Sequence, residues 1–160
     1  IPTLNQIAMK YKDSYKYVAF FGDDHIIRTK WESQFISYFE SNNGIGIAYG
    51  NDLLQGAKLP TAVCLTSNIV DVLGFMVPEC LLHMYADNFW LDLGNNLNII
   101  KYFDNVTFEH VHPDNGKAER DSQYVDAASV AYIDQQAYAV YRSGNDFPND
   151  VNKVKSLYEI

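Results

Sequence analysis

The feature that most constrains the fold is a short, uninterrupted apolar run at residues 17–21, which stops at Gly22 and the polar triplet that follows. A continuous apolar run of this length is typical of a strand buried inside a sheet. Similar strand-like runs lie at 45–49, 61–65, 99–103 and 106–112, and helical spacing marks 4–15, 31–39, 67–73, 87–97, 117–141 and 150–157. This alternation predicts an α/β fold with a mixed sheet flanked by helices.

Composition narrows the class of protein. The chain has 160 residues, of which 48% are hydrophobic and 20% charged, so a single domain over 1–160 is expected and bulk disorder is excluded. A net charge of −8 makes nucleic acid a poor partner. No apolar run approaches the roughly 20 residues of a membrane span, and no basic-then-apolar signal segment opens the sequence, so a cytoplasmic location is expected.

The polar triplet after the first apolar run is the strongest candidate site. Asp23, Asp24 and His25 follow a predicted strand directly, and ligands of α/β proteins bind beyond the carboxyl ends of strands. Carboxylates and an imidazole suit Mn²⁺, whereas Mg²⁺ would depend mainly on the carboxylates. Capping of the next turn explains the two aspartates equally well. Asp52, after another strand, is a candidate ligand contact or a turn residue.

Two further segments carry groups that are able to do chemistry. Asp87 lies in the first turn of a predicted amphipathic helix, where it could act as a general base, although on its own it is better explained as a helix cap. His110 and His112 share one face of a predicted strand, so they could converge on one ion. A lone histidine in such a place is more often a hydrogen-bonded structural residue.

Taken in order, these segments resemble the second half of a GT-A glycosyltransferase, most closely the inverting family 2 enzymes, over residues 3–112. The resemblance implies a GT-A-like sheet and aligns the 22–25 turn with the family's Asp-x-Asp metal and diphosphate motif. Two alignments are open. Asp24 is the main metal ligand in one, and Asp23 and His25 are the ligands in the other. The segment 73–75 (Leu-Gly-Phe) resembles the Gly-Gly-Phe segment before the family's acceptor loop.

The resemblance also implies residue roles. Ala86-Asp87 matches the family's Glu-Asp pair with Ala86 in place of the glutamate, which makes Asp87 the catalytic base. His112 matches the late histidine that completes the metal site. The implied reaction moves a sugar from a nucleotide-diphosphate donor to a carbohydrate or other hydroxyl acceptor, with Mn²⁺ or Mg²⁺, and inverts the anomeric centre. Asp23, Asp24 and Asp52 are the candidate contacts to the donor, and a nearby cation should keep Asp87 ionised.

Too few residues precede the motif for the family's complete sheet, so we expect an N-terminally incomplete GT-A domain with an exposed sheet edge. Partner strands or a homo-oligomer could cover that edge. Residues 1–116 would form the catalytic core part and 117–160 a helical extension. The alternative function is a catalytically inactive binding or assembly module on the same scaffold. A metal-dependent hydrolase is a weaker candidate, because no second carboxylate-rich cluster is evident.

Overall fold

The computed structural model describes residues 1–120 and 122–158. Residue 121, inside the predicted helical stretch, and residues 159–160 of the predicted domain lie outside the described residues. The helices are α1 (Pro2–Tyr11), α2 (Glu32–Ser41), α3 (Ser67–Leu73), α4 (Ala86–Leu97), α5 (Ser122–Ser143) and α6 (Asp146–Lys155), and the strands are β1 (Tyr17–Phe20), β2 (His25–Ile27), β3 (Ile47–Asn51), β4 (Val63–Thr66) and β5 (Ile100–His110). None of the described helices is both long and apolar enough to cross a bilayer.

The strands of the described ranges form one mixed sheet in the order β1-β4-β3-β5-β2. Only β3 and β5 run parallel, and the other neighbouring pairs are antiparallel. The predicted α/β class with a mixed sheet is therefore confirmed. Strand β4, between β1 and β3, is buried along its whole length because its neighbours and helices on both faces cover it.

Helices cover both faces of the sheet, and each face has its own apolar cluster. Val63 and Leu65 of β4 point into the larger cluster, which α3, α4 and α6 complete. Cys64 points the other way, into an aromatic cluster built around Phe35 and Phe39 of α2. Phe35 and Phe39 of α2 therefore pack in the core. Alternating side chains of one strand feed two cores, which is the arrangement expected of a sheet between two helical layers.

Two strand predictions need correction. The apolar run 17–21 was expected to form a buried strand, but β1 lies at the sheet edge, with Ala19 exposed and the other residues half-buried. The stretches 99–103 and 106–112 were expected to be separate strands, whereas they form the single long strand β5. Its pairing with β3 is irregular at one place. Gly50 of β3 lies opposite Phe103, but the next residue of β3, Asn51, lies opposite Thr107. The polar residues 104–105 that suggested a break lie at this irregularity.

Helix α5 is tied to the loop before α4 by a buried carboxylate. Asp134 is fully buried, and its two oxygens accept hydrogen bonds from the backbone N–H groups of Leu82, His83 and Met84 at 2.6–2.8 Å. Burial opposes the ionisation of Asp134, but these donors outweigh it and hold its pKa below the ordinary value. The loop therefore has a fixed position relative to α5.

Replacing Asp134 by asparagine should lower the free energy of unfolding at pH 7 by about 1–3 kcal/mol, because an amide presents an N–H group to buried donors. The pKa of Asp134 is lower in the folded state than in the unfolded state. Its contribution to the free energy of unfolding is therefore fully present above the unfolded-state pKa of about 4 and is lost as the pH falls through the folded-state pKa. Urea unfolding at pH 7 and pH 3 should show a difference between variant and wild type that shrinks in acid.

Asp126→Asn is the matched control, since Asp126 is an exposed aspartate of the same helix. It should unfold within about 0.5 kcal/mol of the wild type. An Asp134→Asn chain as stable as the wild type at pH 7 would show that the carboxylate does not hold the loop.

Candidate metal centre

The pairing of β2 with β5 brings two distant histidines together. After β1 the chain turns at 22–24 and returns as β2, whose first residue, His25, lies directly opposite His110 at the end of β5. Their rings stack with centroids 4.3 Å apart and an interplanar angle of 22°. Val106 and Phe108, on the same face of β5 as His110, are fully buried in the aromatic cluster and so fix this end of the strand.

Asp24 completes the cluster from the turn. Its Oδ2 lies 3.0 Å from Nε2 of His110, and its Oδ1 lies 3.2 Å from Nδ1 of His25. One ligand atom each from Asp24, His25 and His110 lies within 4.8 Å of the other two. Within the described residues, these three are the group of carboxylates, thiols and imidazoles that could share an ion.

The cluster contains buried nitrogen atoms that lack a hydrogen-bond partner. The side chain of His25 is only 3% exposed, and its Nδ1 makes no hydrogen bond although Asp24 lies nearby, because the angles are unsuitable. Nδ1 of His110 is also buried without a hydrogen bond, 3.7 Å from Asp52. A buried, unpartnered imidazole nitrogen is costly, and a cation bound by it would remove that cost. Two imidazoles and one carboxylate suit Mn²⁺ or a later transition metal better than Mg²⁺.

Charge balance within the cluster shifts the pKa values in opposite directions. Burial opposes ionisation of Asp24, but the neighbouring His110 outweighs it and lowers the pKa of this carboxyl. Burial likewise opposes protonation of His110, but Asp52 and Asp24 on its two sides raise its pKa. Burial and the charge of His110 together lower the pKa of His25. Asp24 is therefore ionised and His25 neutral near pH 7, which are the forms that bind a metal, whereas His110, with its raised pKa, must give up a proton to bind one.

Asp52 supports the cluster from behind. Its Oδ1 accepts hydrogen bonds from the backbone N–H groups of residues 54–56, and its Oδ2 accepts one from the hydroxyl of Thr61. Burial would raise the pKa of Asp52, but His110 and these donors hold it well below the ordinary value. Asp52 is 2% exposed and its oxygens are engaged by the protein, and its contact with a donor stays a prediction.

Asp87 occupies the second position of α4, whose N-cap is Tyr85, so the interpretation of Asp87 as the helix cap is wrong. Its Oδ1 accepts a hydrogen bond from the N–H of Asn88. Burial raises the pKa of Asp87 and outweighs the backbone N–H groups and the charge of His110, which lower it. From the sequence we expected a nearby cation to keep Asp87 ionised by lowering this pKa. In the protein without a cation, burial has the largest effect on the pKa of Asp87, and it raises it.

The remaining predicted site residues lie beside the cluster. Asp23 is exposed in the turn and is not among the three converging residues. His112, the predicted late histidine, packs its ring against His110 with centroids 4.9 Å apart, and its Nδ1 accepts a hydrogen bond from the N–H of Asp114. The structure therefore brings Asp24 and His25 together with His110, and not with His112.

Two neighbours of the cluster were not assigned a role from the sequence. The hydroxyl of Tyr124 in α5 donates to Oδ2 of Asp24 at 3.2 Å, and its ring meets His112 edge-on. The hydroxyl of Thr61 lies 3.4 Å from Nε2 of His25. His110 was singled out together with His112 from the alternation of the strand, but its choice over His112 depends on strand register. Tyr124 shows that α5 reaches the site.

A cavity of about 750 Å³ lies elsewhere, between the loop at 75–80 and α6. None of the cluster residues lines it. The cluster itself lies just beyond the carboxyl end of β1, as expected for a site at the edge of an α/β sheet.

No protein-family model, curated protein or solved structure matches the chain. Within the described residues the fold is a mixed five-stranded sheet. The groups that could do chemistry are those around Asp24.

Proposed function

We propose that the chain is a metal-dependent glycosyltransferase domain with a GT-A-like fold, which moves a sugar from a nucleoside-diphosphate donor to a hydroxyl acceptor with inversion. The observation that carries this proposal is the convergence of Asp24, His25 and His110 on one place just after β1. The motif order that resembles the family 2 enzymes supports it independently. A strand-end metal site and a buried carboxylate are the two parts that such a transfer needs.

Asp24, His25 and His110 would hold the cation, and the unpartnered Nδ1 of His25 is the atom that fits it best. When bound, a divalent ion neutralises charge that develops on the departing diphosphate. Asp52 lies on the other side of His110, 3.7 Å from its Nδ1, where its charge favours the ring. A preset imidazole pair lowers the entropic cost of assembling the site.

Asp87 is the proposed general base. Its carboxylate accepts the proton of the acceptor hydroxyl as that oxygen forms a bond to the anomeric carbon. The bond from this carbon to the diphosphate oxygen breaks, and its electron pair leaves with the nucleoside diphosphate. A pKa raised by burial makes Asp87 a stronger base than an exposed aspartate, which favours proton removal near pH 7.

The backbone before Asp87 is held in a strained conformation that suits a positioned catalytic group. Tyr85 has a φ of 70°, in the left-handed region that a residue with a bulky side chain rarely adopts. Asp134 fixes the three preceding residues, and the ring of Tyr138 packs against that of Tyr85 with centroids 5.6 Å apart. Helix α5 therefore sets where α4 begins and, with it, the position of Asp87.

Metal binding is the first test. Titration of the chain with Mn²⁺, followed by the loss of the free-ion electron paramagnetic resonance signal, should show one ion per chain. His110→Asn and Asp24→Asn should each weaken binding at least about tenfold, because each removes one of three converging ligands. Mg²⁺ should compete poorly, since it binds imidazole weakly.

His83→Asn is the matched control, because His83 is exposed and lies outside the cluster. It should bind Mn²⁺ as the wild type does. Equal affinity of the wild type and His110→Asn for Mn²⁺ would place the ion elsewhere and remove the basis of the proposed function.

Donor turnover is the second test. The chain is mixed with Mn²⁺ and a panel of UDP-, GDP- and TDP-sugars, and release of the nucleoside diphosphate is measured together with thermal stabilisation by each donor. We expect Asp87→Asn to retain the donor-induced rise in Tm and to lose about 10²- to 10⁴-fold in release rate, as for removal of a general base.

Asp104→Asn, at an exposed carboxylate of β5, should leave both measurements unchanged. Donor binding without release by the wild type, with every acceptor, would favour the inactive binding module, for which Ala86 in place of the family's glutamate already argues. Asp87→Asn with full release activity would exclude Asp87 as the base.

A further inference from the structure

The free edge of β1 presents unpaired backbone groups. The N–H of Ser67 donates to the carbonyl oxygen of Lys16, and β1 pairs with β4 with Val18 opposite Leu65. In an antiparallel strand the N–H and C=O groups of successive residues face alternate sides. The backbone groups of Lys16, Val18 and Phe20 therefore face β4, whereas those of Tyr17 and Ala19 face outward. No strand of the described residues pairs with this side of β1.

An apolar groove of about 290 Å³ follows the same edge. On one side it is lined by Val18 and Ala19 of β1. On the other side it is lined by α1 and the residues after it, where Ile7 and Tyr15 are 54% and 63% exposed. An additional strand at this edge would cover these side chains.

The edge lacks the usual protection against pairing. Edge strands are commonly protected by proline, lysine or a bulge, but β1 contains only Tyr, Val, Ala and Phe and pairs with β4 in regular register. The charges are instead placed at its two ends. Exposed Lys16 precedes the strand, and exposed Asp23 follows it after Phe21 and Gly22. Neither takes part in an ion pair among the described residues.

We propose that this edge is a dimer interface, at which β1 of a second copy of this chain pairs antiparallel with β1 about a two-fold axis near Ala19. Antiparallel pairing sets Lys16 of each copy beside the Asp23 end of the other, whereas parallel pairing would set like charges together. This charge complementarity selects a second copy as the occupant. Tyr17 and Ala19 supply about four backbone hydrogen bonds, and the two sheets become one continuous sheet.

Sedimentation velocity of the full 160-residue chain over a wide concentration range tests the interface. The wild type should sediment with the mass of two chains. Ala19→Pro removes an outward N–H that β4 does not use, and proline is accepted at strand edges, so this variant should fold and be monomeric. Ala19→Ser is its matched control and should remain dimeric, because it retains the N–H.

A charge exchange tests the register even if the proline variant fails to fold. Lys16→Glu should raise the dimer dissociation constant about tenfold or more, since it faces Asp23 of the second copy. Combining it with Asp23→Lys should restore dimerisation. A monomeric wild type at all concentrations would overturn the proposal and leave the edge to a strand from another protein. A dimer that neither Ala19→Pro nor Lys16→Glu weakens would also overturn it.

Discussion

The antiparallel pairing of β2 with β5 is the constraint on which the candidate site depends. It sets His25 directly opposite His110, although 84 positions separate them in the numbering, and it turns Asp24 toward both rings. The aromatic cluster beneath Phe108 fixes this end of β5, because a slip of one residue would move Phe108 out of the core. The metal site and the smaller core therefore share one register.

The second constraint is the connection between helix α5 and both halves of the site. Tyr124 contacts Asp24, while Asp134 holds the loop that leads into α4 and Asp87. A buried carboxylate with three backbone donors is a strong and specific link, because each N–H would otherwise be left without a partner. Helix α5 thus belongs structurally with the proposed catalytic part, although its sequence suggested no role.

Local pattern predicted most helices and the mixed sheet, because periodicity follows directly from which faces are buried. It failed where tertiary pairing decides. A uniformly apolar β1 was expected in the interior but lies at the edge, and the three-residue strand β2 is too short to show a pattern. The need for tertiary pairing also explains why the sequence could not choose between the two histidines. His110 and His112 share a face in sequence, and only the register with His25 distinguishes the residue that joins the cluster.

The most direct measurement of the central claim is the X-ray absorption spectrum of the Mn²⁺-loaded chain. A site formed by Asp24, His25 and His110 predicts a nitrogen and oxygen shell with outer-shell scattering from two imidazole rings, reduced to one ring in His110→Asn. A spectrum without imidazole scattering, as for an ion held only by carboxylates and water, would contradict the site.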